Sequence, residues 1–157
     1  IEVRPIRPED AKIEQTFVDG LSAESKYFRF MYRMGDISPM MLARFTQIDY
    51  DREMALVAVE NEGTDDERLI GVARYVGNPD GQSCEFALTV ADDVQKQGIG
   101  RQLMQMLMNI ACDRGLTIME GDVLAENRKM LRLCQKLGFR VARNPEDPEV
   151  VIVRRHL

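Results

Sequence analysis

The strongest constraint on this chain is a change of hydrophobic period across one glycine turn. In Ser83–Ala91 (SCEFALTVA), Cys84, Phe86, Leu88 and Val90 take one face and Glu85, Ala87, Thr89 and Ala91 the other. That alternation is the period of a strand. From Gly98 to Gly115, Ile99, Leu103, Met106, Leu107, Ile110 and Ala111 recur at helical spacing, and Gly115 is placed to cap the end. The join between them is Gln95-Lys96-Gln97-Gly98-Ile99-Gly100-Arg101. A strand that turns through glycines into an amphipathic helix belongs to an α/β chain.

The rest of the chain fits that frame. Residues 1–7 form a first strand ended by Pro8, and a helix follows over about 10–20. Ser22 and Ser38-Pro39 start two more helices, because serine caps an N-terminus and proline fits its first turn. The segment between them, YFRFMYRMGD, mixes aromatic and basic residues. Met54–Glu60 is a buried strand, Leu69–Val76 its hairpin partner, and Asn78-Pro79-Asp80-Gly81 a turn. After the glycine turn and its helix, Thr117–Leu124 is a strand, Asn127–Leu137 a helix, and Phe139–Ala142 and Val150–Arg154 two closing strands. A β-rich half followed by β-α-β-α-β-β gives an α/β (α+β) fold with a mixed sheet and helices on both faces.

All 157 residues make a single domain, 1–157. No apolar run is long enough for a membrane span. The formal charge is −5, which disfavours nucleic acid and suits a cationic partner. Three cysteines without a C-x-x-C pair argue against a disulfide framework or a zinc site and for a reducing, cytoplasmic setting. A hydrolytic Ser-His-Asp or Cys-His centre would have to use His156, the one histidine, at the second-to-last position.

The glycine turn carries the most chemistry. Glycines let backbone approach a ligand, and free N–H groups at a helix N-terminus favour anions. Lys96 and Arg101 lie at the positive end of the helix dipole, where acidic residues are the usual choice. A docked polyanion accounts for them; a tight turn with solvated charges is the alternative. Leu103 stands where a dinucleotide motif needs its third glycine, and there is no G-x-x-x-x-G-K-[ST].

Gln95-x-x-Gly98-x-Gly100 at a strand-to-helix junction resembles the acyl-CoA motif of the GNAT superfamily of N-acetyltransferases. Glu126-Asn127-Arg128-Lys129-Met130-Leu131, running to Lys136-Leu137-Gly138-Phe139, is similar to its second signature. Three segments resemble, more closely, the C-terminal domain of Pat-type bacterial protein lysine acetyltransferases. These are Ser25–Phe30, Thr46–Val57, and Glu85-Phe86-Ala87-Leu88 with Asp92-Asp93. That resemblance implies a mostly antiparallel central sheet of six to seven strands, with a splayed pair holding acyl-CoA. It also implies an acyl-CoA-synthetase-like domain upstream, consistent with a chain that begins at Ile1.

The resemblance assigns roles. Acetyl-CoA is the co-substrate, without a metal. Main-chain groups of Leu88 and Val90, flanking Thr89, would meet the pantetheine and acetyl group. Val90 N–H would be the oxyanion donor, a contact worth roughly 3–4 kcal/mol where removed elsewhere. N–H groups of Gln97, Gly98, Ile99, Gly100 and Arg101, in the loop opened by Gln95 and Lys96, would hold the pyrophosphate. Asn127 would touch the pantetheine arm, and Arg128, Lys129 and Arg132 would lie near the nucleotide phosphates or simply be solvated.

A lysine amine is neutral only roughly once in 2,500 at pH 7, a cost of about 4.6 kcal/mol, so a general base is needed. Glu85 is the candidate. It sits mid-strand, where glutamate is a poor β-former, beside the small Ala87 and Thr89. Glu120 and Asp122 are reserves.

Cys134 occupies the position of a tyrosine acid in many relatives, yet it shares an apolar face with Leu131 and Leu137. Cys84, Cys112 and Cys134 are expected in the core, as are the methionines around Met104–Met108. Asp49, Asp51, Glu53, Asp92 and Asp93 are either attractors of a target lysine or solvated loop charges. The expected activity is therefore protein lysine Nε-acetylation by direct transfer, acting on a metabolic enzyme such as acetyl-CoA synthetase. A homo-oligomer is compatible with this. Acetylation of a small amine or a protein N-terminus is the alternative, and a non-catalytic acetyl-CoA sensor is a third.

Overall fold

The computed structural model describes residues 1–31, 37–95 and 97–157. Its strands are β1 (Glu2–Pro5), β2 (Glu53–Glu60), β3 (Arg68–Gly77), β4 (Ser83–Val90), β5 (Ile118–Leu124), β6 (Arg140–Arg143) and β7 (Val150–His156). Its helices are α1 (Ala11–Asp19), α2 (Ala23–Phe30), α3 (Pro39–Thr46), α4 (Ile99–Asp113) and α5 (Arg128–Lys136). The expected elements are all present, with ends within a few residues. Ser22 and Ser38 cap α2 and α3, accepting from Ser25 N and Met41 N at 3.0 and 3.2 Å.

The strands form one sheet in the order β1-β2-β3-β4-β5-β7-β6. Every neighbouring pair is antiparallel except β4 and β5. That parallel pair is joined through α4, as a crossover requires. Its ladder is short: only Ser83–Glu85 pair, with Ile118–Glu120. Beyond Glu85 the two strands part.

Helices cover both faces. A Cβ on Gly71 of β3 would meet Leu103 and Ile99 of α4, so that face looks at α4. Three residues on, Arg74 points the other way and reaches Glu14 of α1. The buried residues of α4 are Ile99, Leu103, Met104, Leu107, Met108 and Ala111, so the methionine cluster is core packing. Cys84 and Cys134 are buried as expected, but Cys112 is exposed. It stands one step past Ala111, about 100° further round α4 and off the buried stripe.

Candidate acyl-donor cleft

Where β4 and β5 part, a cleft of about 970 Å³ opens. One wall is the edge of β4 from Phe86 to Val90; Asp122 and Val123 of β5, the first turn of α4, α5 and α2 complete it.

The β4 edge presents backbone groups. Ala91 N donates to Ile70 O at 2.8 Å, toward β3. The β3–β4 register runs without a break from Gly71–Val90 to Gly77–Cys84. In a regular antiparallel pair, N–H and C=O directions alternate residue by residue. Leu88 and Val90 therefore turn theirs away from β3 and into the cleft. Gln95 confirms the direction, since its Nε2 donates to Val90 O at 3.2 Å.

Phe86 holds the strands apart. A Cβ on Gly121 of β5 would lie 2.7 Å from Phe86 Cε1. The same ring meets Phe139 with centroids 5.3 Å apart.

The anion-facing end lies at α4. Gly98 is its N-cap, with φ +81, a conformation that suits glycine. Gly100 packs closely on β4, because a Cβ there would meet Leu88 Cδ2 at 3.3 Å. The first turn has no acidic residue, so its free N–H groups face a cleft also lined by Arg101, Lys129, Arg132 and Lys136. Asn127 is buried and lines the cleft; its Oδ1 caps α5, accepting from Met130 N at 3.3 Å.

The structure thus brings Leu88, Thr89, Val90, Gln95, Gly98, Ile99, Gly100, Arg101 and Asn127 onto one cleft. Gln97 is exposed and off its wall. Lys96 lies outside the described residues. Arg128 is also off the wall, whereas Lys129 and Arg132 are on it.

Three carboxylates gather on the opposite face of the sheet. Glu85 and Glu120 are register partners, and Asp122 follows on the same side of β5. Glu120 is engaged by Arg154, with Nη2 to Oε2 at 2.9 Å. Among the described residues the side chains of Glu85 and Asp122 have no hydrogen bond or ion pair, although both backbones are paired in the sheet. Asp122 is on the cleft wall; Glu85 stands beyond it, exposed, just where the strands part. Although the residue as a whole is exposed, partial desolvation against the sheet pushes the Glu85 carboxyl above its ordinary value, and the nearby charges of Asp122 and Glu120 add to that. Cys134 is off the wall, and burial pushes its thiol up to about 12.

Two features were not legible in the sequence as site elements. The first is α2, whose Glu24, Ser25, Phe28 and Arg29 form the wall facing β4. The second is Asp92, which is more than loop charge. It accepts from Ser22 N at 2.9 Å and from the hydroxyls of Ser22 and Ser25, tying the start of α2 beside the glycine turn. Asp93 pairs with Arg68 at 2.8 Å, and Glu53 is buried against Arg44.

Comparison with known proteins agrees with this arrangement. Residues 22–139 match the acetyltransferase (GNAT) family. The chain is 39% identical over 153 residues to Acetyltransferase PA5475 of Pseudomonas aeruginosa, covering 97% of this chain and 81% of that protein. Its fold is similar to the GNAT domain of S. lividans PAT, with TM-score 0.88 and 29% identity over 99% of this chain and 89% of the other. A ribosomal-protein-alanine N-acetyltransferase from Brucella melitensis shares the fold at TM-score 0.74 and 20% identity, over the full length of both chains. The described residues hold no cluster of three or more His, Cys, Asp or Glu placed to bind a metal ion, and no helix long and apolar enough to cross a membrane. The chain belongs to the GNAT family and is an N-acetyltransferase.

Proposed function

We propose that the protein is an acetyl-CoA-dependent protein lysine Nε-acetyltransferase working by direct transfer. The observation that carries this is the β4 edge at Leu88 and Val90, left unpaired by β5, with the unpaired side chains of Glu85 and Asp122 on the open face beside it. Main-chain groups of Leu88 and Val90 hold the pantetheine and polarise the thioester carbonyl, while the first turn of α4 with Arg101 takes the pyrophosphate. Lysine nitrogen attacks the thioester carbon, the C–S bond breaks, and the thiolate leaves. The proton released from the ammonium passes to Glu85, directly or through water. Glu85 stands outside the cleft wall, which favours transfer through water.

The resemblance of Ser25–Phe30, Thr46–Val57 and Glu85–Leu88 to Pat-type protein lysine acetyltransferases supports a lysine acceptor, and a metabolic enzyme such as acetyl-CoA synthetase is the proposed target. Three free cysteines suit a reducing cytoplasm.

The test is thiol release from acetyl-CoA with an acetyl-CoA synthetase as acceptor, for wild type and Glu85→Gln, with donor binding measured for both. A fall of roughly 100-fold or more with binding retained supports the base role. A mutant as fast as wild type removes Glu85 from the mechanism. Turnover of small amines or N-terminal peptides alone overturns the lysine assignment.

A further inference from the structure

We propose that the cleft recognises a second charge on the acceptor: a carboxylate that accompanies the amine and is held by Arg29. The inference rests on the amine-acetyltransferase reading above and adds the acceptor's chemical class to it. Arg29 would be a specificity residue, and it takes no part in proton transfer.

Arg29 lies on α2, half-buried, on the cleft wall. Its guanidinium sits over the rings of Phe30 and Phe45, 4.8 and 5.8 Å from their centroids. Among the described residues nothing accepts a hydrogen bond from it. A guanidinium carries five donors in a planar fork shaped for a carboxylate, and a partly desolvated one normally has a partner.

The anion near it is already committed. Glu14 is 2% exposed, and its Oε1 accepts from Arg74 at 3.3 Å. Its Oε2 is buried without a partner. Arg74 also donates to Phe45 O at 3.1 Å. Among the described residues around this small cavity, two guanidinium groups, Arg29 and Arg74, stand against one carboxylate, and Arg29 is the one of the two that also lines the cleft.

The opposite sign lies a short way along the same sheet face. Arg74 is the register partner of Ala87, and Arg29 lines a small cavity with Arg74 and Thr89. Arg29 thus sits at the level of Ala87–Thr89, while the unpaired Glu85 marks the level where β4 and β5 part; Asp122, two residues past Glu85's register partner Glu120, lies across the gap on β5. Two to four strand residues separate the levels, about 7–13 Å. Between them the side chains are small. An acceptor entering here meets carboxylates suited to its amine and a guanidinium suited to an anion on the order of 10 Å away. A lysine with an acidic side chain close in the sequence has that spacing.

The donor's own phosphates do not need Arg29. Arg101, Lys129, Arg132 and Lys136 attend the other face, around α4 and α5.

The experiment compares paired acceptor peptides that differ only in Glu or Gln beside the target lysine. Thiol release gives kcat/KM for each on wild type, Arg29→Gln and Arg29→Lys, and mass spectrometry confirms the acetylated residue. The readout is the Glu-to-Gln ratio on one preparation, which is insensitive to the folded fraction. The expected ratio is roughly tenfold or more for wild type, near one for Arg29→Gln, and partly restored for Arg29→Lys.

A wild-type ratio near one, or a ratio unmoved in Arg29→Gln, overturns the proposal. So does a preference that Arg29 exerts on the donor, seen as faster transfer from succinyl-CoA than from butyryl-CoA that Arg29→Gln abolishes while the acceptor ratio stays put. If no lysine peptide turns over, the lysine reading fails and the ratio is taken between free lysine and lysine amide. A free-lysine preference lost in Arg29→Gln then supports Arg29, and equal rates overturn it.

Discussion

The ring of Phe86 stands on Gly121. A Cβ at Gly121 would lie 2.7 Å from Phe86 Cε1 and 3.0 Å from its Cδ1. The ring fills the space just past Glu85 and Glu120, the last paired residues of β4 and β5. Phe86 is 8% exposed and also packed on Phe139, so it has little room to retreat. Gly121→Ala is expected to destabilise the fold by about 1–3 kcal/mol through overpacking, read by urea denaturation. A variant with an unchanged midpoint would show that the ring yields freely and does not hold the strands apart.

The acidic limb of activity should respond to Asp122. Burial is the largest cause of the raised Glu85 pKa, followed by the charges of Asp122 and Glu120. A base acts only when deprotonated, so the rate falls as pH drops through that raised value. Asp122→Asn removes one repulsive charge and should move the acidic limb of kcat/KM to lower pH. An unmoved limb would mean that Glu85 is not the titrating group. In stability the sign is opposite. A raised carboxyl contribution is complete below the unfolded pKa and is lost as pH rises through the folded one.

Asp92 should make the fold acid-sensitive. Partial burial alone would raise its pKa, but the hydroxyl of Ser25 and the N–H and hydroxyl of Ser22 outweigh it and hold the carboxyl below its ordinary value. Its contribution is therefore present above the unfolded value of about 4 and is lost as pH falls through the lower folded value. Asp92→Asn should flatten that part of the stability-pH curve, measured by denaturation at stepped pH. Equal acid sensitivity in the variant would assign the effect to other carboxylates.

Arg74 and Glu14 should be unequal in their removal. Their side chains are 12% and 2% exposed. Arg74→Ala strands a buried carboxylate and is expected to cost about 3–5 kcal/mol. Glu14→Gln keeps an acceptor for Arg74 and should cost much less. Equal losses by chemical denaturation would show that packing, not charge, sets the price here.

The order of elements was legible because period and caps agree: Cys84–Val90 alternate, α4 repeats, and Ser22 and Ser38 cap as their types predict. The open edge at Leu88 and Val90 is expected through the family resemblance carried by the glycine turn that follows it, not from the residues of β4 themselves. The wall formed by α2 could not be anticipated, because it depends on which face of the sheet that helix covers. The tie from Asp92 to Ser22 and Ser25 spans 70 and 67 positions, beyond any local pattern. Cys112 misled because it lies one helical step from buried Ala111, where a periodic reading has its least resolution. Gly121 did leave a signal: a glycine inside a strand often marks a close approach by another group.

Three residue pairs join β4 to β5, while the ladders on either side run seven long. Mechanically the sheet is two panels, β1-β2-β3-β4 and β5-β7-β6, stitched along a short hem. Such a hem resists sliding but lets the panels change their mutual twist. The spacer across the hem is then a single side chain, Phe86 of one panel seated on Gly121 of the other, so one residue pair does what no backbone ladder does along that line.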